Sequence, residues 1–191
     1  MVVLAEAGDR SSGQEDRHMA RVAFILDELF EDSEFQVPYD GVRDAGHEPV
    51  IVGLQAGKQV TGKNGSPVTI ERGIDEVGPE EFDALVIPGG YSPDKIRTSP
   101  AMVALTRDMH QALKPVAAIC HAGWMLAEAD IVRGKTITSY HSIKTDMRNA
   151  GADWVDQELV EAVSDAGGII ITSRHPGDLP AFCDALLRQL K

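Results

Sequence analysis

Short runs of branched apolar residues alternate along this chain with stretches of helical periodicity, and this alternation constrains the fold more than any other feature. We predict buried strands at residues 21–27, 48–54, 84–88 and 115–119. Helical patterns lie between them, at residues 35–46 and 100–113. Two parallel strands need a connection of a dozen or more residues, which an intervening helix supplies. The sequence therefore predicts the α/β class, with a flavodoxin-like, doubly wound and mostly parallel sheet sandwiched by helices.

The remaining segments fit a single domain. Residues 58–70 carry two glycines and a proline between short branched stretches and are predicted to form a small β-excursion. Further elements are expected at residues 143–150 (helix), 155–163 and 168–172 (strands), and 180–190 (helix). Residues 1–20 are polar and lack the apolar run of a signal peptide, so we expect a polar N-terminal extension. The domain itself is predicted to span residues 21–191, which is long enough for a substantial core.

The charge balance narrows the classes of function. Lysine and arginine total 18 and aspartate and glutamate total 30, so the net charge is −12, which argues against binding to nucleic acid or to an anionic membrane. The two cysteines, Cys120 and Cys183, lie far apart in the sequence. We therefore expect no disulfide framework and a cytoplasmic location. The cysteines and histidines do not have zinc-like spacing, and we expect neither a metal nor another cofactor.

Three places of chemical interest fall at the carboxyl ends of predicted strands. They are the acidic residues 27–34, the turn Pro88-Gly89-Gly90, and Cys120 with His121. In doubly wound sheets the carboxyl ends of the strands form the edge at which ligands bind. Because three candidates converge on one edge, we expect the functional site there.

Cys120 is the strongest candidate for a reactive group. It ends an apolar strand and begins a turn into a helical segment, so its sulfur is expected over a helix N-terminus. Free backbone N–H groups and the positive end of the helix dipole favour the thiolate, which predicts a low thiol pKa and a nucleophile or redox thiol. A cysteine after an apolar strand is also often a small buried hydrophobe. The residues alone leave this alternative open.

The neighbouring residues leave similar choices. Gly89 and Gly90 form either a tight turn or an oxyanion hole, since glycine lets backbone N–H groups approach a substrate. A carboxyl among residues 27–34 either caps the next helix or, held protonated, donates a hydrogen bond to a thiolate. Composition does not say which carboxyl does so. His121 serves as a general base only if its ring reaches the thiol, and adjacent side chains on a turn often diverge.

An ordered set of motifs carries a resemblance to a known family. The motifs are FED at 30–32, TG at 61–62, EFDALVIPGG at 81–90, KPVAAICH at 114–121, SY at 139–140, NAG at 149–151, WVD at 154–156, TSR at 172–174 and DLP at 178–180. In this order they resemble the ThiJ/PfpI superfamily, within the class I glutamine-amidotransferase-like fold. The resemblance runs from about residue 21 to the C-terminus. It is greatest to the PfpI branch of intracellular proteases and stress proteins.

The resemblance implies roles for the residues around the cysteine. Cys120 matches the nucleophile on its strained elbow. Glu31 matches the carboxyl that hydrogen-bonds the nucleophile. Gly89 and Gly90 match the turn that forms the oxyanion hole.

The resemblance also implies a shared triad. His121 matches the triad histidine of the PfpI branch, in which the third member is an acid from a neighbouring subunit. Asp94 occupies the place of that acid, where the branch often has glutamate. Residues 122–124 (AGW) depart from the commoner turn of the family, and Trp124 is expected to form one wall of the pocket.

The activity implied by the resemblance is that of a cytosolic, stress-related, cysteine-dependent enzyme with hydrolase-type chemistry. Family members are described as intracellular peptidases, as glyoxalases, and as deglycases acting on methylglyoxal or its adducts. Expected partners are a small dicarbonyl, a glycated adduct or a peptide as substrate, and further copies of the chain in a dimer or hexamer with the active site near an interface. The rival hypothesis is a non-enzymatic redox sensor or chaperone that uses an oxidisable Cys120. An amidotransferase is disfavoured because the sequence contains no synthetase domain.

Overall fold

The computed structural model describes residues 19–164 and 166–191, so the predicted N-terminal extension lies outside the described residues except for its last two. The described strands are β1 (Arg21–Ile25), β2 (Glu48–Gly53), β3 (Gln59–Thr61), β4 (Pro67–Thr69), β5 (Arg72–Gly73), β6 (Ala84–Ile87), β7 (Val116–Ile119), β8 (Thr136–Ile137), β9 (Asp153–Trp154), β10 (Leu159–Val163) and β11 (Ile169–Ser173). The described α-helices are α1 (Asp32–Asp44), α2 (Ser92–Ile96), α3 (Pro100–Gln111), α4 (Gly123–Glu128), α5 (Lys144–Asn149) and α6 (Leu179–Arg188).

A seven-stranded sheet organises these elements in the order β10-β11-β7-β6-β1-β2-β5. Its neighbouring strands are parallel except for β10, which runs antiparallel to β11 at one edge. The predicted doubly wound, mostly parallel sheet is therefore confirmed. Outside this sheet lie the antiparallel hairpin β3–β4, which is the predicted β-excursion, and the short parallel pair β8–β9.

Apolar side chains cover both faces of the sheet. Successive residues of a strand point to opposite faces, so Val22 and Phe24 of β1 pack on the side of α1 and α6. Ala23 and Ile25 pack on the side of α3, α4 and α5. Because the central strands β1, β6 and β7 are buried from both sides, they read in the sequence as continuous apolar runs. Among the described helices, none combines the length and the apolar character that a membrane span needs.

Helix α1 begins nearly one turn before the predicted start at residue 35. Glu31 is its N-cap, because the Oε2 atom of Glu31 accepts a hydrogen bond from the backbone N–H of Glu34 at 2.8 Å. An acidic cap satisfies a backbone donor that has no partner inside the helix. Pro38 therefore lies within the helix rather than in its first turn, and it leaves the carbonyl of Glu34 without its usual helical donor. The earlier start also turns Glu34 inward, where it is fully buried.

Candidate active site

Cys120 lies on a strained turn at the carboxyl end of β7. It opens a short 3₁₀ turn, Cys120–Ala122, which leads directly into α4. Its φ of +63° is left-handed, a conformation that costs a non-glycine residue about 1–2 kcal/mol. The residue is only 7% exposed. A strained cysteine at the end of a central parallel strand has the geometry of a nucleophile elbow, and such strain clusters at functional sites.

Two backbone N–H groups, those of Gly90 and His121, hydrogen-bond the Cys120 sulfur. Both donors favour the thiolate over the thiol. Gly90 has a φ of +77°, and a Cβ atom there would overlap the Leu29 carbonyl oxygen and lie 2.6 Å from the Glu31 nitrogen. Only glycine fits this position. Gly90 and His121 are therefore the two backbone donors that face the sulfur.

Gly89 plays a different part from the one expected. Its N–H donates to Oε2 of Glu34 at 2.9 Å, so this donor is directed away from the sulfur. A Cβ atom on Gly89 would lie 2.7 Å from the Cβ of Cys120 and 2.5 Å from Oε2 of Glu34. The assignment of both glycines as oxyanion donors is corrected: Gly90 faces the sulfur, whereas Gly89 provides space and holds Glu34.

The carboxyl beside Cys120 belongs to Glu34 and not to Glu31. Glu34 is fully buried and forms a side-chain hydrogen bond with Cys120. Its Oε1 atom accepts no N–H or O–H hydrogen bond from the described residues. The Glu31 carboxylate is already engaged, because its Oε2 accepts from the Glu34 backbone and from the Ser33 hydroxyl at 2.5 Å. The early start of α1 is the physical reason for this correction.

Burial disfavours the charge of both Glu34 and Cys120. Burial, followed by the negative charge of Glu31, raises the pKa of Glu34 to about 8. Burial and then the charge of Glu34 raise the pKa of Cys120 to about 12, although the two backbone donors lower it. The low thiol pKa expected from the helix N-terminus is therefore wrong, because burial and the charge of Glu34 outweigh the two backbone donors. A proton on Glu34 removes the repulsion and supplies an O–H donor for the thiolate, so the two groups titrate as a pair.

The His121 ring turns back toward the cysteine that precedes it. Its Nδ1 lies 3.2 Å from Sγ of Cys120, and its Nε2 lies 3.1 Å from Oγ of Ser142. The ring stacks on Tyr140 with the centroids 4.9 Å apart, and it packs against Trp124 at 5.0 Å. Aromatic packing on two sides holds the imidazole within reach of the thiol.

The surroundings of His121 keep its ring uncharged. Burial is the main cause that lowers the pKa of His121, and the positive charges of Lys63 and His141 lower it further. A neutral imidazole has one nitrogen with a free lone pair, which can accept a proton from the thiol. The sequence left open whether the His121 ring reaches the thiol, and within a single chain the two side chains lie in contact.

Asp94 and Trp124 lie in a neighbouring cleft. Asp94 is exposed on α2, and within the described residues the hydrogen bonds of the His121 ring go to other side chains. Both Asp94 and Trp124 line an open cleft of about 550 Å³. There the indole Nε1 of Trp124 donates to Asp146 at 2.8 Å. Because Trp124 also contacts His121, it connects this cleft with the thiol site.

The sequence analysis does not identify Ser142 or Lys63, and it includes Glu34 only as one of the acidic residues 27–34. Glu34 has a detectable signal, because an acidic N-cap at residue 31 places residues 34, 35, 38 and 42 on one buried stripe of α1. Ser142 and Lys63 carry no such signal, since long-range contacts set their positions. Over the described part of the chain, no group of three or more histidine, cysteine or acidic side chains is arranged to hold a metal ion.

Residues 20–189 match the model of the DJ-1/PfpI family. The chain is 47% identical over 171 residues to the protein/nucleic acid deglycase 2 of Escherichia coli, covering 89% of this chain and 97% of that protein. It is 40% identical over 171 residues to the deglycase PfpI of Pyrococcus furiosus, covering 90% of this chain and 99% of that protein.

A solved structure has the same fold. It is a two-domain protein from Anabaena variabilis that contains DJ-1/ThiJ/PfpI-like and ferritin-like domains. The TM-score is 0.85 at 41% sequence identity, and the match covers 90% of this chain and 48% of that chain. The described fold therefore corresponds to about half of that longer protein.

Proposed function

The chain belongs to the DJ-1/PfpI family, and on that premise we propose that it is a cysteine-dependent deglycase. Its substrates are adducts of methylglyoxal with amino groups, and its products are the free amine and lactate. The supporting observation is the strained Cys120, whose sulfur meets two backbone N–H groups, the Glu34 carboxyl and the His121 ring. Two similar proteins are named as deglycases.

The reaction begins with proton transfer from the thiol to His121. The sulfur replaces the amine on the carbinol carbon of the adduct, so that an S–C bond forms, the C–N bond breaks and the amine leaves with the proton that His121 took up. The enzyme-bound hemithioacetal then isomerises: the hydrogen on the sulfur-bearing carbon moves as a proton to the neighbouring carbonyl carbon, and the hydroxyl proton of the sulfur-bearing carbon moves to the oxygen of that carbonyl. This step leaves a lactoyl thioester, which water hydrolyses to lactate and the free thiol.

The residues around the sulfur support each stage of this sequence. The N–H groups of Gly90 and His121 stabilise negative charge on the substrate oxygen as it develops. Protonated Glu34 stabilises the thiolate before attack, because its pKa of about 8 keeps a proton on it at neutral pH. Above that pH the carboxyl becomes an anion and no longer stabilises the thiolate.

The limited exposure of the sulfur favours a small substrate. Cys120 is only 7% exposed, and a three-carbon fragment reaches such an atom more readily than the backbone of a polypeptide does. We therefore favour the deglycase over the intracellular peptidase. Free methylglyoxal, the substrate of a glyoxalase, is as small as the adduct fragment and is an equally suitable substrate. Both cysteines are free thiols, which supports a reducing, cytoplasmic compartment.

The proposal includes an active site completed by a second copy of the chain. Asp94 is exposed and shares a cleft with Trp124, which packs against His121. A neighbouring chain that docks on this cleft would bring its own Asp94 toward the histidine, as in the PfpI branch. The oligomer would be closed and symmetric, as most homo-oligomers are.

A turnover assay tests the proposed function. N-acetyl-lysine treated with methylglyoxal serves as substrate, and both the recovered amine and lactate are measured over time. Cys120→Ser should reduce the rate at least about 100-fold, because a serine hydroxyl is a far weaker nucleophile at neutral pH. Cys183→Ser is the matched control and should keep full activity. Retention of activity in Cys120→Ser, or release of lactate without recovery of the amine, would rule out the deglycase.

A further inference from the structure

We propose that Lys63 is a specificity-determining residue of this site and binds a carboxylate on the fragment that Cys120 attacks. The substrate class would then include adducts of oxo acids such as glyoxylate in addition to those of methylglyoxal. The inference rests on the proposed deglycase only for the identity of the reaction. Recognition of the carboxylate depends on the position of Lys63 and can be measured without turnover.

The backbone around Lys63 is held firmly against the start of α1. Lys63 occupies the turn between β3 and β4, and its N–H donates to the carbonyl oxygen of Phe30 at 2.9 Å. The carboxylate of Asp32 accepts from the backbone of Asn64 at 2.8 Å and of Ser66 at 2.9 Å. The turn is thus attached to the same helix end that carries the Glu34 carboxyl. The backbone of Lys63 is consequently fixed by hydrogen bonds to the start of α1 and does not belong to a free loop.

The ammonium of Lys63 has donors to spare. Its nearest anionic partner is Oε1 of Glu31 at 4.0 Å, which is beyond hydrogen-bond distance, and the side chain is 42% exposed. Within the described residues, Nζ makes no closer ion pair. Lys58, on the preceding strand segment, differs because its Nζ lies 3.1 Å from the buried Asp27. Lys63 is therefore a cation at the site whose donors remain available to a ligand.

The charge of Lys63 reaches the groups that contact the thiol. It acts on both Glu34 and His121, which lie on two sides of the sulfur. The protein as a whole has a net charge of −12, so a carboxylate that approaches it meets a repulsive field. Lys63 lies beside Glu31, whose carboxylate accepts from the Glu34 backbone, and it therefore gives a carboxylate a local partner at this end of the helix. Glu31 compensates part of that charge, which favours a monoanion over a doubly charged phosphate.

Two alkylating reagents of matched chemistry test the inference. Iodoacetate and iodoacetamide both alkylate the Cys120 sulfur and release iodide, but only iodoacetate carries a carboxylate next to the reacting carbon. All rates are measured in a Cys183→Ser background, so that one thiol is available. In Lys63→Gln, the rate with iodoacetate divided by the rate with iodoacetamide should fall about two- to fivefold, as expected for a partly exposed ion pair. Lys63→Arg should restore most of this ratio.

The ratio of the two alkylation rates separates recognition of the carboxylate from a change in the reactivity of the thiol. If Lys63 acted only through the ionisation of Cys120 or Glu34, both reagents would slow by the same factor, the ratio would stay constant, and the inference would be overturned. Lys144→Gln, which alters an exposed lysine two residues beyond Ser142, is the matched control and should leave the ratio unchanged. An equal fall in Lys144→Gln would show a general field effect and would also overturn it.

Turnover connects the inference with the substrate class. The hemithioacetal formed from the glyoxylate adduct has a carboxylate in place of the neighbouring ketone, so it cannot isomerise; once the amine has left, its S–C bond breaks and it releases free glyoxylate and the thiol, and turnover is measured from the recovered amine. Lys63→Gln should raise KM for this adduct of N-acetyl-lysine by the same two- to fivefold factor, with little change in KM for the methylglyoxal adduct. Equal changes for both adducts would contradict carboxylate recognition. If neither adduct is turned over by the wild type, the deglycase proposal fails, while the alkylation ratio still decides the role of Lys63.

Discussion

The buried Glu34 carboxyl makes the stability of the protein depend on pH in a direction opposite to that of most acidic residues. Burial raises the pKa of Glu34 from 4.5 to about 8, so between these two values the folded state keeps a proton that the unfolded state has lost. Stability falls with rising pH wherever the folded state binds more protons. The contribution of Glu34 is therefore fully present below pH 4.5 and is lost as the pH rises through 8.

The Glu34→Gln substitution should abolish this loss. The difference between 4.5 and about 8, at roughly 1.4 kcal/mol for each pH unit, corresponds to a loss of up to about 5 kcal/mol. A glutamine amide is neutral at every pH, and its oxygen can still accept the hydrogen bond from Gly89. Relative to the wild type, the variant should gain several kcal/mol of stability between pH 5 and pH 9.

Urea denaturation at pH 5 and pH 9 measures the two free energies of unfolding for each protein. Glu158→Gln, which neutralises an exposed glutamate, is the matched control and should show nearly the same difference from wild type at both pH values. A Glu34→Gln variant that differs from wild type by equal amounts at pH 5 and pH 9 would refute the reasoning. In that case the carboxyl would be ionised in the folded protein at neutral pH.

Three further predictions concern the turn, the base and the assembly. Gly90→Ala should lower the free energy of unfolding by at least about 2 kcal/mol, because the added Cβ meets backbone atoms. Gly57 has a similar φ of +76° but open space around it, so Gly57→Ala should lower the free energy of unfolding by only about 1 kcal/mol. Equal losses in thermal unfolding would contradict the close approach at Gly90. His121→Ala should lower kcat about 100-fold or more, and a smaller loss would leave His121 as a backbone donor. Asp94→Asn should lower turnover in the oligomer, and light scattering with a dilution series should show wild-type activity falling as the oligomer dissociates; a fully active monomer would contradict the shared triad.

The sheet could be predicted from the sequence because its strands are covered from both sides. Strands such as β1 and β7 consist of buried apolar residues throughout, so they stand out as runs that end at polar or glycine-rich turns. The observed bounds of β1, β2, β6, β7 and β11 differ from the predicted ones by only one or two residues, whereas β10 begins four residues later than predicted. The functional edge follows from the same reasoning, since parallel strands end together.

The choice between two carboxyls could not be made from the same pattern. Glu31 and Glu34 lie three residues apart in one acidic stretch, so the sequence places both of them near the start of the helix. With a helix that begins at residue 35, Glu31 belongs to the loop beside the cysteine. With the observed start at Asp32, Glu31 caps the helix and Glu34 faces the sulfur. A boundary error of three residues therefore exchanges the roles of the two groups.

The pKa of the thiol could not be predicted from local sequence because the groups that shift it most lie on distant segments. The strand-to-helix turn alone suggests a dipole that favours the thiolate. Tertiary structure adds burial and the Glu34 carboxyl from α1, and together these raise the pKa of Cys120 to about 12. The thiolate becomes accessible when Glu34 is protonated or when His121 accepts the thiol proton. Reactivity in this site is thus a property of three side chains: the cysteine turn after β7 supplies Cys120 and His121, and α1, which follows β1, supplies Glu34.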